Sequence, residues 1–173
     1  MPEWVPVSTS SRGRLAEAAL RAFGAHHFDE VGVVDLAREA GTTTGSLYHH
    51  FGSKLELYSF VRRDVERRVL DRMEGAAAAV GGSSGAQAAA ALLVAFDYVV
   101  GSGFARMLAA PLPGRAGDPL QGFVATVLAE KDTPYSDVLV ASWRAALEFV
   151  IRGGDPAGAR RALESLRIEA GRA

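Results

Sequence analysis

The apolar positions near the start of the chain repeat with the spacing of an α-helix. Four of them lie at i, i+4, i+7 and i+8: Leu15, Ala19, Ala22 and Phe23. This spacing places them on one helix face and predicts a helix from about residue 10 to residue 25. A second set repeats the pattern over a shorter segment: Val33, Leu36, Ala37 and Ala40. Gly41 follows directly, as expected where a helix ends in a left-handed residue.

Residues 40–54 read AGTTTGSLYHHFGSK and allow three interpretations. The segment could be a polar loop, a metal site on the paired histidines, or a short helix that contacts another molecule. Thr43 is a suitable N-cap for a helix that begins at Thr44. Leu47 and Phe51 are four residues apart, so both are predicted to point into the core. The spacing therefore favours a short helix with one buried face, ending at Gly52.

A long helix is predicted to follow, with Ser53 and Glu56 as its capping box. Its predicted core stripe contains five residues: Tyr58, Val61, Val65, Val69 and Met73. The charged run RRDVERRVLDR is expected to be a solvated helix face. The run GGSSG at 81–85 is expected to be a flexible connection to the next helical region.

The remainder of the chain is also predicted to be helical. The segments AQAAAALLVAFDYVV and FARMLAA, and the stretch from about Leu120 to Lys131, read as three helices. Two final helices are expected over about 134–152 and 156–170, where Thr133 and Asp155 each precede a proline as N-cap. The pattern predicts an all-α fold.

Composition narrows the possible classes. About half of the 173 residues are hydrophobic (49%), which is enough to bury a core. The absence of cysteine excludes disulfides, thiolate nucleophiles and zinc–cysteine sites. With no signal pattern and no apolar run of about 18 residues, the chain is expected to be soluble and cytoplasmic. The formal net charge of −1 gives no sign of nucleic-acid binding, so that function needs local evidence.

Metal and enzyme chemistry find little support in the sequence. The histidines form two adjacent pairs, His26-His27 and His49-His50, and adjacent helical residues do not share a face. No nucleophile–base arrangement, phosphate-binding glycine loop or carboxylate pair stands out. We therefore expect no metal, no cofactor and no enzymatic activity.

Two short helices joined by a tight glycine turn predict a helix-turn-helix, whose second helix enters the DNA major groove. Small polar residues at the start of that helix allow a close approach to DNA: Thr43, Thr44, Gly45 and Ser46. Lys54 opposes the dipole of the helix that it begins. Either a bound phosphate or simple solvation would account for it, and the sequence leaves both open.

Residues 14–57 resemble the N-terminal domain of tetracycline-repressor-type (TetR family) transcriptional regulators. The matching motifs are LAEAALRAF, VVDLAREAG and GSLYHHFGSK. The resemblance implies a three-helix DNA-binding domain with a helix-turn-helix over 1–53, on a larger helical body over 54–173 that dimerises and holds a small ligand. It further implies DNA contacts from seven residues: Thr43, Thr44, Gly45, Ser46, Tyr48, His49 and Lys54.

The chain departs from the family pattern at two places. Val31-Gly32 stands where many members have a Thr-Ser or Thr-Thr phosphate contact, and Thr44 stands where many have a basic residue. Three arginines are candidates to compensate by contacting DNA: Arg12, Arg14 and Arg38.

The C-terminal region offers a candidate ligand site and a candidate dimer interface. Six residues are possible pocket walls, although ordinary core packing is the alternative for each: Phe96, Tyr98, Phe104, Met107, Phe123 and Trp143. The expected ligand is an unidentified, largely apolar small molecule. The helix at 134–152 is apolar nearly all round, so the last two helices are expected to form a homodimeric four-helix bundle. A monomer with a central helix is the alternative.

Together these features favour a ligand-responsive regulator, with repression as the expected mode, that binds a pseudo-palindromic DNA operator as a homodimer. The alternative function is a helical ligand-binding or interaction protein that has lost specific DNA binding.

Overall fold

A computed structural model describes residues 10–112, 114–129 and 134–168. Over these ranges the chain contains α-helices and one short 3-10 helix, with no strand, so the all-α prediction is confirmed. The chain divides into two compact units between Val65 and Glu66, within a long helix. Each unit has its own buried core.

The N-terminal unit is built from α1 (Ser11–Ala25), α2 (Val33–Glu39), α3 (Thr44–Phe51) and the first part of α4 (Lys54–Ala79). Ser10 caps α1, its hydroxyl accepting the Gly13 N–H at 3.0 Å. A 3-10 helix, Phe28–Glu30, lies between α1 and α2. The core takes large apolar side chains from all four helices: Leu15, Phe23, Leu36, Leu47, Leu57 and Val61. The predicted helices of this region are therefore confirmed.

Helix α4 begins as predicted, because the Ser53 hydroxyl accepts the Glu56 N–H at 3.0 Å. The last four residues of its predicted stripe are fully buried: Val61, Val65, Val69 and Met73. Tyr58 is only half-buried, and the neighbouring Leu57 is fully buried instead.

The prediction that the charged run of α4 is a solvated face is wrong for three of its members. Arg62, Asp64 and Glu66 are only 2–3% exposed. Burial is tolerated where a partner compensates the lost hydration. Arg62 donates to the Tyr58 hydroxyl at 3.3 Å, and Arg115 pairs with Glu66 at 2.5 Å. Periodicity assigned these positions to the outside because it cannot show that the helix is covered on more than one side.

The C-terminal unit adds α5 (Ser84–Gly101), α6 (Ala105–Leu108), α7 (Pro119–Leu128), α8 (Tyr135–Ile151) and α9 (Pro156–Glu164) to the rest of α4. The GGSSG run is not a connection throughout. The Ser83 hydroxyl accepts the Ala86 N–H at 3.2 Å, so Ser84 and Gly85 already belong to α5.

The predicted ends of the last three helices need correction. Helix α7 ends at Leu128, because Ala129 takes a left-handed conformation (φ 51°). The predicted end at Lys131 and the predicted cap Thr133 lie outside the described residues. Pro134 is itself the N-cap of α8 and not its first helical residue.

Helix α9 begins as predicted, with the Asp155 carboxylate accepting the N–H groups of Ala157 and Gly158 at 3.1 and 2.8 Å. It ends at Glu164, earlier than the predicted end near residue 170, which lies outside the described residues. Arg160 joins this helix to α5 by donating to the Asp97 carboxylate at 2.9 Å.

Helix α5 is long and apolar enough to cross a membrane, with a mean hydropathy of 1.3 over 18 residues. It is also a core helix of the unit, packed against α7, α8 and α9. A single helix of this kind is weak evidence of a membrane span, because core helices pass the same test.

Candidate nucleic-acid interface

The turn between α2 and α3 has the backbone geometry that the sequence predicts. Gly41 takes a left-handed conformation (φ 59°), which glycine adopts without a steric penalty. The Thr42 N–H then bonds the Ala37 carbonyl at 2.9 Å and closes the end of α2. Thr43 is extended, and its hydroxyl accepts the Ser46 N–H at 3.1 Å. Helix α3 therefore begins at Thr44 because Thr43 caps it.

Helix α3 has one buried face and one open face. Leu47 is fully buried, as predicted. Tyr48 is 53% exposed, and Gly45 and His49 are also exposed. The first N–H groups of an α-helix have no acceptor within the helix, so this end can bind a phosphate oxygen. The open face thus combines small residues, hydrogen-bonding groups and an accessible helix N-terminus.

Phe51 is half-buried, so the prediction that it is a core residue is only partly right. It is the last residue of α3 and lies at the edge of the unit. Its ring centroid is 5.4 Å from that of Phe60, and the Arg12 guanidinium lies 5.6 Å from it. The ring therefore contacts an aromatic and a cationic side chain while keeping part of its surface in water.

Replacing Phe51 with alanine is expected to lower the free energy of unfolding by about 1–2 kcal/mol. A fully buried ring costs about 3–5 kcal/mol when removed, and this ring loses less apolar contact. Chemical denaturation of the full chain measures the change, with Leu47→Ala as the fully buried comparison. Equal losses for the two variants would contradict the half-buried position of Phe51.

The three arginines proposed as compensating DNA contacts all have protein partners. Arg14 donates to the Ala40 carbonyl at 2.8 Å and so holds the end of α2 against α1. The Arg12 guanidinium lies 4.8 Å from the centroid of the Phe60 ring. Arg38 pairs with Asp35 and remains exposed. A DNA contact from any of the three stays a prediction.

Lys54 is directed into the N-terminal unit. Its ammonium donates to the carbonyls of Phe28 and Val31 at 2.9 and 3.1 Å and lies 4.2 Å from the Phe28 ring centroid. The explanation by simple solvation is therefore wrong. These contacts account for a lysine in the first turn of α4 without a phosphate, although a phosphate contact remains a prediction.

The departure at Val31-Gly32 has a structural counterpart. Val31 is buried, and Gly32 is the N-cap of α2, with no side chain to bond the first turn. A Cβ at Gly32 would lie 2.8 Å from an Asp35 carboxylate oxygen. A side chain at position 32, such as the threonine or serine of many family members, would therefore require the Asp35 carboxylate to move.

The rings of His49 and His50 meet edge to face, with centroids 5.2 Å apart. Among the described residues, no group of three or more histidine, aspartate or glutamate side chains could hold a metal ion. His49 is exposed and His50 is half-buried, and a DNA contact from His49 stays a prediction.

The structure distributes the six predicted pocket residues between core and partly exposed positions. Phe96, Met107 and Trp143 are buried, and the Trp143 indole N–H bonds the Leu92 carbonyl at 3.0 Å. The other three are half-buried: Tyr98, Phe104 and Phe123. The Arg72 guanidinium lies over the Tyr98 ring, 3.8 Å from its centroid, in a cation–π contact. None of the six lines the cavities described below, and their role in ligand binding stays a prediction.

Sequence reasoning missed a polar cavity near the start of α7, because the preceding segment PLPGRAGDP reads as a plain loop. The cavity has two adjoining lobes. Five residues line both of them: Pro111, Asp118, Gln121, Asp137 and Arg144. Asp118-Pro119 repeats the aspartate–proline pair that predicts the start of α9, so the start of α7 could be predicted from the sequence. The cavity could not be predicted, because the residues that line it are far apart in sequence.

Helices α8 and α9 carry an apolar groove of about 390 Å³. Phe149 is 46% exposed and Leu166 is 38% exposed along it. A Cβ at Gly154 would lie 2.2 Å from the Phe149 ring, so the absence of a side chain there makes room for the ring. The face that was expected to pair with a second copy is thus apolar and open in the single chain.

The sequence similarity to known proteins lies in the N-terminal part of the chain. Residues 15–59 match the family model described as "Bacterial regulatory proteins, tetR family". The HTH-type transcriptional repressor AcnR of Corynebacterium glutamicum is 32% identical over 63 residues, or 36% of this chain and 34% of AcnR. The HTH-type transcriptional regulator BetI of Agrobacterium fabrum is 42% identical over 60 residues, or 32% of this chain and 29% of BetI. The matched segment spans about a third of each relative's length.

The likeness in fold extends further than the likeness in sequence. A solved structure from Shewanella sp. PV-4, assigned to the tetR family of transcription regulators, aligns with a TM-score of 0.71. The alignment covers 92% of this chain and 96% of that one at 21% identity, a level that supports the fold alone. Residues 15–59 therefore match the tetR family of bacterial regulatory proteins in sequence, and most of the chain is similar in fold to the Shewanella structure.

Proposed function

We propose that the chain is a ligand-responsive transcriptional repressor that binds a pseudo-palindromic DNA operator as a homodimer in the cytoplasm. The open face of α3 carries this proposal. It presents small residues, an exposed tyrosine and the N-terminal end of a helix directly after a helix-turn-helix turn.

Helix α3 would enter the major groove with its N-terminal end leading. Thr44 and Ser46 supply hydroxyl groups that can reach phosphates or base edges, and Gly45 lets the backbone approach. Tyr48, one turn further along, adds a hydroxyl for a phosphate and ring surface for the sugar backbone. Because the formal net charge of the chain is −1, affinity would depend on this local arrangement more than on overall attraction.

The apolar groove of α8 and α9 supports the homodimer. Exposed Phe149 and Leu166 would be covered by the same face of a second copy, as in a two-fold four-helix bundle. Such a dimer presents two copies of α3 to half-sites about 34 Å apart, one turn of DNA.

Release from DNA would follow from a small molecule bound in the C-terminal unit. The ligand must bind the DNA-free conformation more tightly than the DNA-bound one, because equal affinity for both shifts no population. Repression is then relieved when the ligand accumulates.

Replacing Tyr48 with alanine is expected to weaken DNA binding by about tenfold or more, through lost backbone contacts. Stability should change little, because the side chain is more than half exposed. Fluorescence anisotropy on labelled DNA from upstream of the chain's own gene measures affinity. Val94→Ala, which truncates an exposed residue of α5, is the matched control.

The same assay tests the proposal itself. Binding should be saturable, sequence-dependent and weaker at higher salt, with two chains per operator by sedimentation. Binding that depends on neither sequence nor salt would refute a specific DNA-binding function.

The alternative is a helical ligand-binding or interaction protein without specific DNA binding. Four cationic side chains of the N-terminal unit favour it: Lys54, Arg12, Arg14 and Arg38. Each already contacts a group of the protein and is therefore less available to neutralise a DNA phosphate. The slope of affinity against salt separates the two, since it counts the phosphates that the protein neutralises.

A further inference from the structure

The polar cavity of the C-terminal unit lies where the loop before α7 meets the start of α8. It has two lobes that share five lining residues, of about 280 and 430 Å³, and the larger lobe has the volume of a small-molecule site. Apolar residues form part of each lobe: Pro111, Leu112 and Pro119 in one, and Pro111, Val140 and Ala141 in the other. We call it the α7–α8 cavity.

Both arginines of the α7–α8 cavity are already neutralised by the chain itself. Arg115 pairs with the buried Glu66 at 2.5 Å. Arg144 pairs with Asp118 at 2.6 Å, and both side chains are less than a fifth exposed. Arg144 also donates to the Leu108 carbonyl at 3.3 Å. An anionic ligand would have to displace a carboxylate from one of these pairs and leave that charge buried, which is unfavourable.

Asp137 differs from the other two carboxylates of the cavity. It lies in the first turn of α8, is exposed, and has no ion-pair partner among the residues that the structure describes. A carboxylate is favourable at a helix start even without a ligand. Here, however, it also lines both lobes, as Gln121 does. Among the described residues that line the cavity, three carboxylates against two guanidiniums leave one negative charge without an opposite partner.

We propose that the α7–α8 cavity binds a small organic cation, a protonated amine or quaternary ammonium with a compact apolar body. The cationic group pairs with Asp137, Gln121 supplies a polar contact, and the apolar body lies against the proline and aliphatic walls. This ligand class differs from the largely apolar molecule that the sequence suggests. That the cation acts as the effector rests on the proposed regulatory function, but its binding does not.

Three probes of similar size test the charge preference: benzylammonium, benzyl alcohol and phenylacetate. Each is titrated into the full chain without DNA, and binding is measured by calorimetry. Benzylammonium is expected to bind about tenfold more tightly than benzyl alcohol, and phenylacetate more weakly than either. Asp137→Asn should remove the preference for the cation. Asp71→Asn, an exposed aspartate on α4 outside the cavity, should leave it unchanged.

Equal binding of the three probes, tighter binding of phenylacetate, or no binding of benzylammonium at millimolar concentration would each overturn the proposal. So would a full preference for the cation in Asp137→Asn. Circular dichroism of each variant confirms that it is folded. Because no DNA is present, these outcomes are separate from those of the operator-binding assay, and either result can fail alone.

Discussion

Trp143→Ala is expected to destabilise the C-terminal unit by about 3–5 kcal/mol, among the largest effects of any single substitution in the chain. The indole is fully buried and its N–H bonds the Leu92 carbonyl, so truncation leaves both a large cavity and a lost hydrogen bond. Chemical denaturation at a fixed chain concentration measures the loss, since dimerisation would make stability concentration-dependent.

The control is Trp143→Phe, which keeps most of the apolar volume and removes the N–H. It should cost about 1–2 kcal/mol, well below the alanine variant. The comparison also bears on the expectation that Trp143 lines a ligand pocket. A loss below about 1 kcal/mol for Trp143→Ala would mean that the ring faces open space and not a packed core.

Lys54→Met is expected to destabilise the N-terminal unit by about 2–3 kcal/mol. The substitution keeps much of the side-chain stem but removes an ammonium that donates to two backbone carbonyls and lies over the Phe28 ring. Hydrogen bonds from charged groups and cation–π contacts each contribute on this scale. Arg63→Met is the matched control, because Arg63 is exposed and donates to the Ser59 carbonyl of its own helix.

The salt dependence of DNA binding tells whether Lys54 also contacts a phosphate. If its role is structural, Lys54→Met should lower affinity without changing the slope against salt. If it neutralises a phosphate, the slope should fall by about one unit. A variant as stable as the parent would show that the two carbonyl contacts contribute little.

Most features of helix α3 could be predicted from the local sequence. Thr43 as cap, Leu47 as core residue and Gly52 as terminator are all readable, because each depends on contacts within a few residues. The degree of burial of Phe51 was not readable, because it depends on Arg12 and Phe60, which approach from other helices. Spacing shows which way a side chain points, but not how much protein lies there.

The charged residues show the opposite limit. Arg62, Asp64 and Glu66 look like a solvated face by periodicity and are buried in the structure. The partner of Glu66 is Arg115, 49 positions away, so the residues near Glu66 in the sequence do not predict the ion pair. The α7–α8 cavity is hidden for the same reason, because its charges come from segments that only folding brings together.

For this protein the sequence by itself determined the helical class, the helix-turn-helix with its caps, and the apolar character of the last two helices. These follow from short-range hydrogen bonding and from the 3.6-residue period. The tertiary structure alone decided which charges are buried, that Lys54 binds backbone carbonyls, and where the polar cavity lies. Those features depend on pairs of groups distant in sequence, whose energies are set by burial and by the partner that folding supplies.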